Sequence, residues 1–154
     1  MPFLGQPRSC TMKTILAAID LDSNAESVLD AAIDLAMQYR AVLILATVET
    51  ELPGMEGATA EELKKEIQLS YDEALTRLKN MADDLSSRGI NCRAVMLEGK
   101  PVDQLIQAAD RLQADLIVIG NHGHSPFYDT LIGGTAPGVI HRARQKVLMV
   151  PVTN

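Results

Sequence analysis

The stretch DLIVIGNHG, residues 115–123, decides the fold. Its first half is a continuous run of Leu, Ile and Val, and its second half contains two glycines. A continuous apolar run of this length, followed by turn residues, is typical of a strand that is buried on both faces. Strands of this kind occur in sheets that carry helices on both sides, so the stretch predicts an α/β protein.

Four other short apolar runs share these features and are predicted to be strands. They cover residues 14–19, 41–48, 91–98 and 146–152. Segments with helical spacing separate them, so five strands alternate with four helices. This alternation predicts crossover connections and a three-layer doubly wound sheet of five parallel strands. Pro151 has no backbone donor, so we expect the last strand at an edge of the sheet.

The predicted helices have recognisable ends. Ser23 and Glu26 have the spacing of a capping box for the first helix. The second helix, residues 59–88, should end at Gly89, and the third should begin near Pro101. A short fourth helix is predicted over residues 136–143. The second helix carries one apolar stripe of residues spaced three or four apart: Leu63, Ile67, Tyr71, Ala74, Leu78, Met81 and Leu85.

Composition narrows the functional class. The 154 residues are 47% hydrophobic and 22% charged, which predicts one globular domain over residues 12–154. Residues 1–11 are interpreted as a tail or a cloning remnant. A net charge of -6 and 3% aromatic residues argue against a nucleic-acid partner, and no apolar run is long enough for a membrane span. Cys10 and Cys92 are predicted to be free thiols, which suggests a cytoplasmic protein.

A glycine-rich segment, residues 120–135, follows the most strand-like run and precedes a helix. In doubly wound sheets ligands bind beyond the carboxyl ends of the strands, where the strand order reverses, so the ends at Ile19, Val48 and Ile119 are of interest. Glycine amides and a helix N-terminus together can hold a phosphate group, and Thr135 could cap the helix or donate its hydroxyl. The alternative is that these glycines only punctuate a loop.

The same segment resembles the nucleotide motif of the universal stress protein family, Gly-x2-Gly-x9-Gly-Ser/Thr. Gly120, Gly123 and Gly133 fit its spacing. The stretches KTILAAIDLDSNAESVLDAAIDLA, IVIGNHGHS and RQKVLMVPV are also similar to family segments, in the expected order. The resemblance covers residues 12–153.

This resemblance implies an adenine nucleotide alpha hydrolase-like fold and a stress-response protein that binds ATP or AMP, with Mg as a candidate ion. It also implies a homodimer joined through the C-terminal strand, and a protein partner of unknown identity. By position in the family motifs, the nucleotide-binding residues are Ala18, Ile19, Asp20, Val48, Ile119, Gly120, Asn121, His122, Gly123, Gly133, Gly134, Thr135 and Ala136.

One residue departs from the family pattern. Gly134 stands where the motif has Ser or Thr, which removes a hydroxyl worth about 0.5–1.5 kcal/mol as a hydrogen-bond donor. His122 could donate to a phosphate instead. His122 and His124 have no third ligand at suitable spacing, so no metal site is predicted. Arg142 and Arg144 could neutralise a phosphate or interact with a helix C-terminus.

Three functional hypotheses follow in order. The first is a nucleotide-dependent sensor or switch. The second, which Gly134 favours, is a dimeric interaction protein of the same fold that binds no nucleotide. The third is a slow ATP hydrolase, ranked last because the sequence has no clear general base near the loop and no P-loop lysine, so no catalytic residue is assigned.

Overall fold

The computed structural model describes residues 11–21, 25–49, 56–121 and 134–152. Strands and helices alternate along the chain, as the sequence predicts. The strands are β1 (Thr14–Ala18), β2 (Val42–Glu49), β3 (Cys92–Glu98), β4 (Leu116–Asn121) and β5 (Lys146–Pro151). The helices are α1 (Glu26–Tyr39), α2 (Ala60–Ser87), α3 (Pro101–Arg111) and α4 (Thr135–Arg142).

The five strands form one parallel sheet in the order β3-β2-β1-β4-β5. Two apolar clusters fill the two sides of this sheet. One packs α1 and α2 against it, and the other packs α3 and α4 against the opposite face. The predicted three-layer doubly wound fold is therefore confirmed. The strand order reverses between β1 and β4, at the centre of the sheet.

The strand boundaries differ slightly from the prediction. β4 continues through Gly120 and Asn121, two residues beyond the predicted end at Ile119. These residues pair with Val150 and Pro151 of β5. As predicted, β5 is an edge strand, and Pro151 occupies its last position, where a missing donor costs little.

Helix α2 is buried over only part of its length. Leu78, Ala82 and Leu85 are buried, whereas Ile67 is 39% exposed and Leu69 is 53% exposed. Of the predicted stripe, Leu78 and Leu85 are buried and Ile67 is exposed, whereas the remaining members are half-buried: Leu63, Tyr71, Ala74 and Met81. At 1.5 Å per residue α2 is about 42 Å long, whereas a strand of seven residues spans about 23 Å. The N-terminal turns of α2 therefore extend beyond the strands, and Ser70 Oγ donates to Glu49 Oε1 at 3.1 Å at the end of β2.

The helix ends are only partly as predicted. Gly89 follows α2 with a φ of +88°, a conformation that glycine adopts without strain, so the predicted stop is confirmed. Helix α1 begins at Glu26 with Ala25 at its N-cap position and no side-chain cap among the described residues. Ser23, the predicted capping residue, lies outside the described residues.

The cysteine environment is defined for one of the two thiols. Cys92 is a buried free cysteine in β3, and burial raises the pKa of its thiol to about 11. Cys10 lies outside the described residues, as do residues 1–10 of the predicted tail. In the described part of the chain, no helix is both long and apolar enough to cross a membrane.

Candidate functional site

The two central strands stop pairing at the point where the strand order reverses. The register of β1 with β4 ends at Ala17 and Val118. Each of these two strands stays paired with its other neighbour beyond that point. After β1, the Ile19 amide donates to the Ala46 carbonyl of β2 at 2.8 Å. β4 pairs with β5 as far as Pro151. A crevice at the carboxyl ends of parallel strands is the usual ligand position in this fold class.

Four of the predicted site residues lie in one apolar cluster beneath this crevice. Ile119 and Ala136 are buried members of the cluster that α3 and α4 cover, and Ala18 and Val48 are partly buried against it. The structure therefore brings together side chains from β1, β2, β4 and α4. Of the four, Ala18 and Val48 retain exposed surface and are the ones able to contact an apolar ligand group.

Ile19 differs from these four residues because its side chain is buried on the opposite face, among the residues that α1 and α2 cover. Only its backbone can face the crevice. Its carbonyl accepts a hydrogen bond from the Thr47 hydroxyl at 2.8 Å. Thr47 is 8% exposed and was not among the predicted site residues. Its sequence signal was a hydroxyl within the aliphatic run of β2.

Asp20 is exposed and lies directly after Ile19, at the end of β1. The next residue, Leu21, accepts a hydrogen bond through its carbonyl from Arg77 Nη2 at 2.9 Å. Side chains from β2 and α2 thus hold the backbone on either side of Asp20. Arg77 lies 56 positions away in the chain, and no local pattern in the sequence indicates this contact.

The predicted glycine-rich segment is described only at its two ends. Gly120 and Asn121 are half-buried strand residues, and the Asn121 carbonyl accepts from the Val152 amide at 3.1 Å. The segment therefore leaves the sheet after Asn121, not after Ile119. His122, Gly123, His124 and Gly133 lie outside the described residues.

Helix α4 begins next to the crevice without a side-chain cap from the described residues. Gly134 is its N-cap residue and Thr135 its first helical residue, so the alternative in which Thr135 caps the helix is wrong. The first intrahelical bond runs from the Gly138 amide to the Gly134 carbonyl at 3.2 Å. The amides of Thr135 and Ala136 precede it, at the positive end of the helix dipole.

The opposite end of α4 is fixed against α3. Arg142 lies in the last turn of α4, and its Nη1 donates to Asp103 Oδ1 at 2.6 Å. Of its two predicted roles, phosphate neutralisation and interaction with a helix C-terminus, this position fits the second. Gly138 permits close packing, because a Cβ there would lie 2.7 Å from Val102 Cγ2. These contacts hold α4 against α3.

The described residues contain no group of three or more His, Cys, Asp or Glu side chains placed to hold a metal ion. The described part of the crevice combines an apolar floor, an exposed carboxylate and backbone amides at a helix end. Such a site suits a ligand with one apolar and one anionic part.

Residues 11–151 match the universal stress protein family. Universal stress protein A homolog 1 of Coxiella burnetii is 33% identical over 143 residues, which are 90% of this chain and 95% of that protein. A solved universal stress protein from Burkholderia pseudomallei superposes with a TM-score of 0.71 at 26% identity, covering 93% of this chain and 98% of that one. A universal stress protein solved in complex with cAMP has a TM-score of 0.65 at 27% identity and covers 93% and 99% of the two chains.

Proposed function

The chain belongs to the universal stress protein family, and we propose that it binds an adenine nucleotide in the crevice between β1 and β4 and acts as a sensor or switch in stress response. The observation that carries the proposal is the convergence of four predicted site residues, Ala18, Val48, Ile119 and Ala136, on one cluster beneath that crevice. The related protein in complex with cAMP supports the same ligand class.

The nucleoside half of the ligand is proposed to lie over the ends of β1 and β2. Ala18 and Val48 offer apolar surface to the base, and the exposed carboxylate of Asp20 can accept hydrogen bonds from ribose hydroxyls. The backbone of Ile19 supports this arrangement because both its amide and its carbonyl are held by β2.

The phosphate half is proposed to lie between the end of β4 and the start of α4. Gly120, Asn121, Gly134, Thr135 and Ala136 border this space, and by family resemblance His122, Gly123 and Gly133 belong to the same cradle. The amides of Thr135 and Ala136 and the helix dipole favour an anion there. ATP or AMP is the proposed nucleotide, and Mg is proposed only as a companion of ATP.

Gly134 distinguishes this cradle from the family motif. Glycine supplies an amide but no hydroxyl, so we expect weaker binding of phosphate groups than a Ser or Thr would provide. This loss affects the phosphate half and leaves the nucleoside half unchanged. We therefore propose that this chain discriminates less between mono- and triphosphates than a relative with the hydroxyl.

The proposed homodimer uses the exposed edge strand. Leu148 and Met149 of β5 and Ile140 of α4 are large apolar side chains that are 37–45% exposed. An edge strand with exposed apolar residues is a template for pairing with a second copy. This observation also supports the second candidate function, a dimeric interaction protein that binds no nucleotide. Light scattering on the wild type and on Met149→Glu separates dimer from monomer.

Calorimetric titration with ATP, ADP, AMP and cAMP tests the proposed function. We expect saturable binding of at least one of them, and weaker binding by Asp20→Ala. Asp34→Ala, an exposed carboxylate on α1, is the matched control. Absence of binding at millimolar nucleotide would leave the interaction protein as the function. Phosphate release by wild type and Asp20→Ala would test the slow ATP hydrolase.

The two cysteines suit a reducing compartment, so the proposed location is the cytoplasm.

A further inference from the structure

We propose that Thr47 is a positioning residue for the nucleotide site, and that Arg77 is its exposed counterpart. The Thr47 hydroxyl and the Arg77 guanidinium hold the Ile19 and Leu21 carbonyls, so the backbone that carries Asp20 is held in place before a ligand binds. This inference rests on the proposed function, because it concerns the nucleoside half of the same site.

The contact of Thr47 replaces a bond of the sheet. In a continued parallel ladder, the Ile19 carbonyl would accept its next hydrogen bond from a backbone amide of β2. Here it accepts from the Thr47 hydroxyl at 2.8 Å, while the Ile19 amide still donates to Ala46. The chain thus leaves the regular ladder at Ile19, and the Thr47 side chain holds its carbonyl at that point.

Core packing alone gives no reason for a hydroxyl at this position. Thr47 lies in β2, where Leu43 and Leu45 on the same face are fully buried apolar residues. A buried hydroxyl costs free energy unless it is hydrogen-bonded, and Val has the same shape without that cost. The hydrogen bond to Ile19 is therefore the property that distinguishes Thr47 from the residues before it.

Arg77 holds the other side of Asp20 from a different element. Its Nη2 donates to the Leu21 carbonyl at 2.9 Å. The contact is exposed to solvent, so it should contribute less than the buried bond of Thr47. Arg77 lies one residue before Leu78, the first buried anchor of α2, so a well-packed part of the helix positions its backbone.

The two contacts restrict the same short segment from opposite sides. Neither hydroxyl nor guanidinium has to contact the ligand, because both act through backbone carbonyls. Holding a binding group in its bound position before the ligand arrives lowers the entropy cost of binding. The effect should be the same for any ligand that uses Asp20, whatever its number of phosphates.

Four variants test the proposal: Thr47→Val, Thr47→Ser, Arg77→Ala and the control Ser87→Ala. Ser87 also donates its hydroxyl to a carbonyl, that of Asp84 at 2.6 Å, but it is the last residue of α2 and bonds within its own helix. Affinities for adenosine, AMP and ATP are measured by calorimetry, and melting confirms that each variant is folded. We expect about tenfold weaker binding for Thr47→Val and about threefold for Arg77→Ala.

Thr47→Ser keeps the hydroxyl, so its affinities should stay within about twofold of wild type, as should those of Ser87→Ala. The factor for each weakened variant should be the same for adenosine and ATP. If the two residues only stabilised the fold, the variants would have lower melting temperatures without an equal loss of affinity for adenosine and ATP. If Thr47→Val does not fold, the exposed Arg77→Ala still decides the outcome.

Two results overturn the inference, and they differ in meaning. Folded Thr47→Val and Arg77→Ala proteins with wild-type affinities would refute the positioning role and leave the proposed function intact. Absence of nucleoside and nucleotide binding by the wild type would refute both.

Discussion

Helices α2 and α4 begin in opposite ways. Thr59 and Glu62 form a reciprocal capping box at α2: the Glu62 amide donates to the Thr59 hydroxyl at 3.2 Å and the Thr59 amide donates to the Glu62 carboxylate at 2.9 Å. At α4, Gly134 supplies no side-chain cap from the described residues. The long helix thus caps its start with its own side chains, whereas the amides of Thr135 and Ala136 at α4 have no side-chain cap from the described residues.

The two helices are also held in place differently. α2 is anchored near its C-terminus by Leu78, Ala82 and Leu85, and its capped start extends past the sheet. α4 has only eight residues, and its contacts with α3 fix it. An extended start depends on its own cap for stability, whereas packing can hold a start that no described side chain caps. The predictions below change one of these features at a time.

Leu78→Ala should produce the largest loss of stability, about 2–5 kcal/mol, because it leaves a cavity at a fully buried position. Ile67→Ala removes a large apolar side chain from the extended half of the same helix and should cost much less. Urea unfolding of both variants measures the difference. Equal losses would mean that the first half of α2 is anchored as firmly as the second.

Gly138→Val should displace α4 from α3, because its Cβ would lie 2.7 Å from Val102 Cγ2. Overpacking of this kind costs about 1–3 kcal/mol. Thermal unfolding measures the loss, and the double variant with Val102→Ala should recover part of it. A Gly138→Val protein as stable as wild type would show that the close packing does not fix α4.

Thr59→Ala should cost about 1 kcal/mol, since it removes the hydroxyl that caps α2. Urea unfolding gives the change in stability, and Thr76→Ala is the control: it removes an exposed hydroxyl bonded to the Asp72 carbonyl within the same helix. Equal costs would show that the capping position has no special value.

The cap should also respond to pH. The hydrogen bond from the Thr59 backbone amide, and after it the one with the Thr59 side chain, lower the pKa of the Glu62 carboxyl below its usual value of 4.5. A lowered folded-state pKa stabilises the helix above about pH 4.5, and this contribution is lost as the pH falls through the folded value. The NMR shift of the Thr59 amide should therefore change below pH 4.5. A shift that is independent of pH in that range would exclude the carboxylate contact.

Much of the fold follows from the sequence, because continuous apolar runs and helical spacing report burial directly. The strand positions and the stop at Gly89 were predicted in this way. The stripe of α2 was misread at Ile67 because periodicity shows which residues share a face, and not how far the sheet extends beneath it. The capping box of α2 was not predicted, although Thr59 and Glu62 have the required spacing.

The site was less predictable than the fold. The switch-point rule and the family motif brought Ala18, Val48, Ile119 and Ala136 to one place. They gave no indication of Thr47 or Arg77, because both act through contacts between residues that are 28 and 56 positions apart. Contacts of that range depend on the folded chain, and a local pattern does not encode them.

The central proposal is that the start of α4, which no described side chain caps, holds the phosphate groups of a nucleotide. Gly134→Asp tests it most directly, since the backbone there has φ -50° and ψ 161°, which any residue adopts, and a carboxylate would both cap the helix and repel phosphate. Calorimetry with ATP and adenosine should show at least about tenfold weaker ATP binding by this variant, with adenosine within about twofold of wild type. Unchanged ATP affinity in the folded variant would contradict the claim.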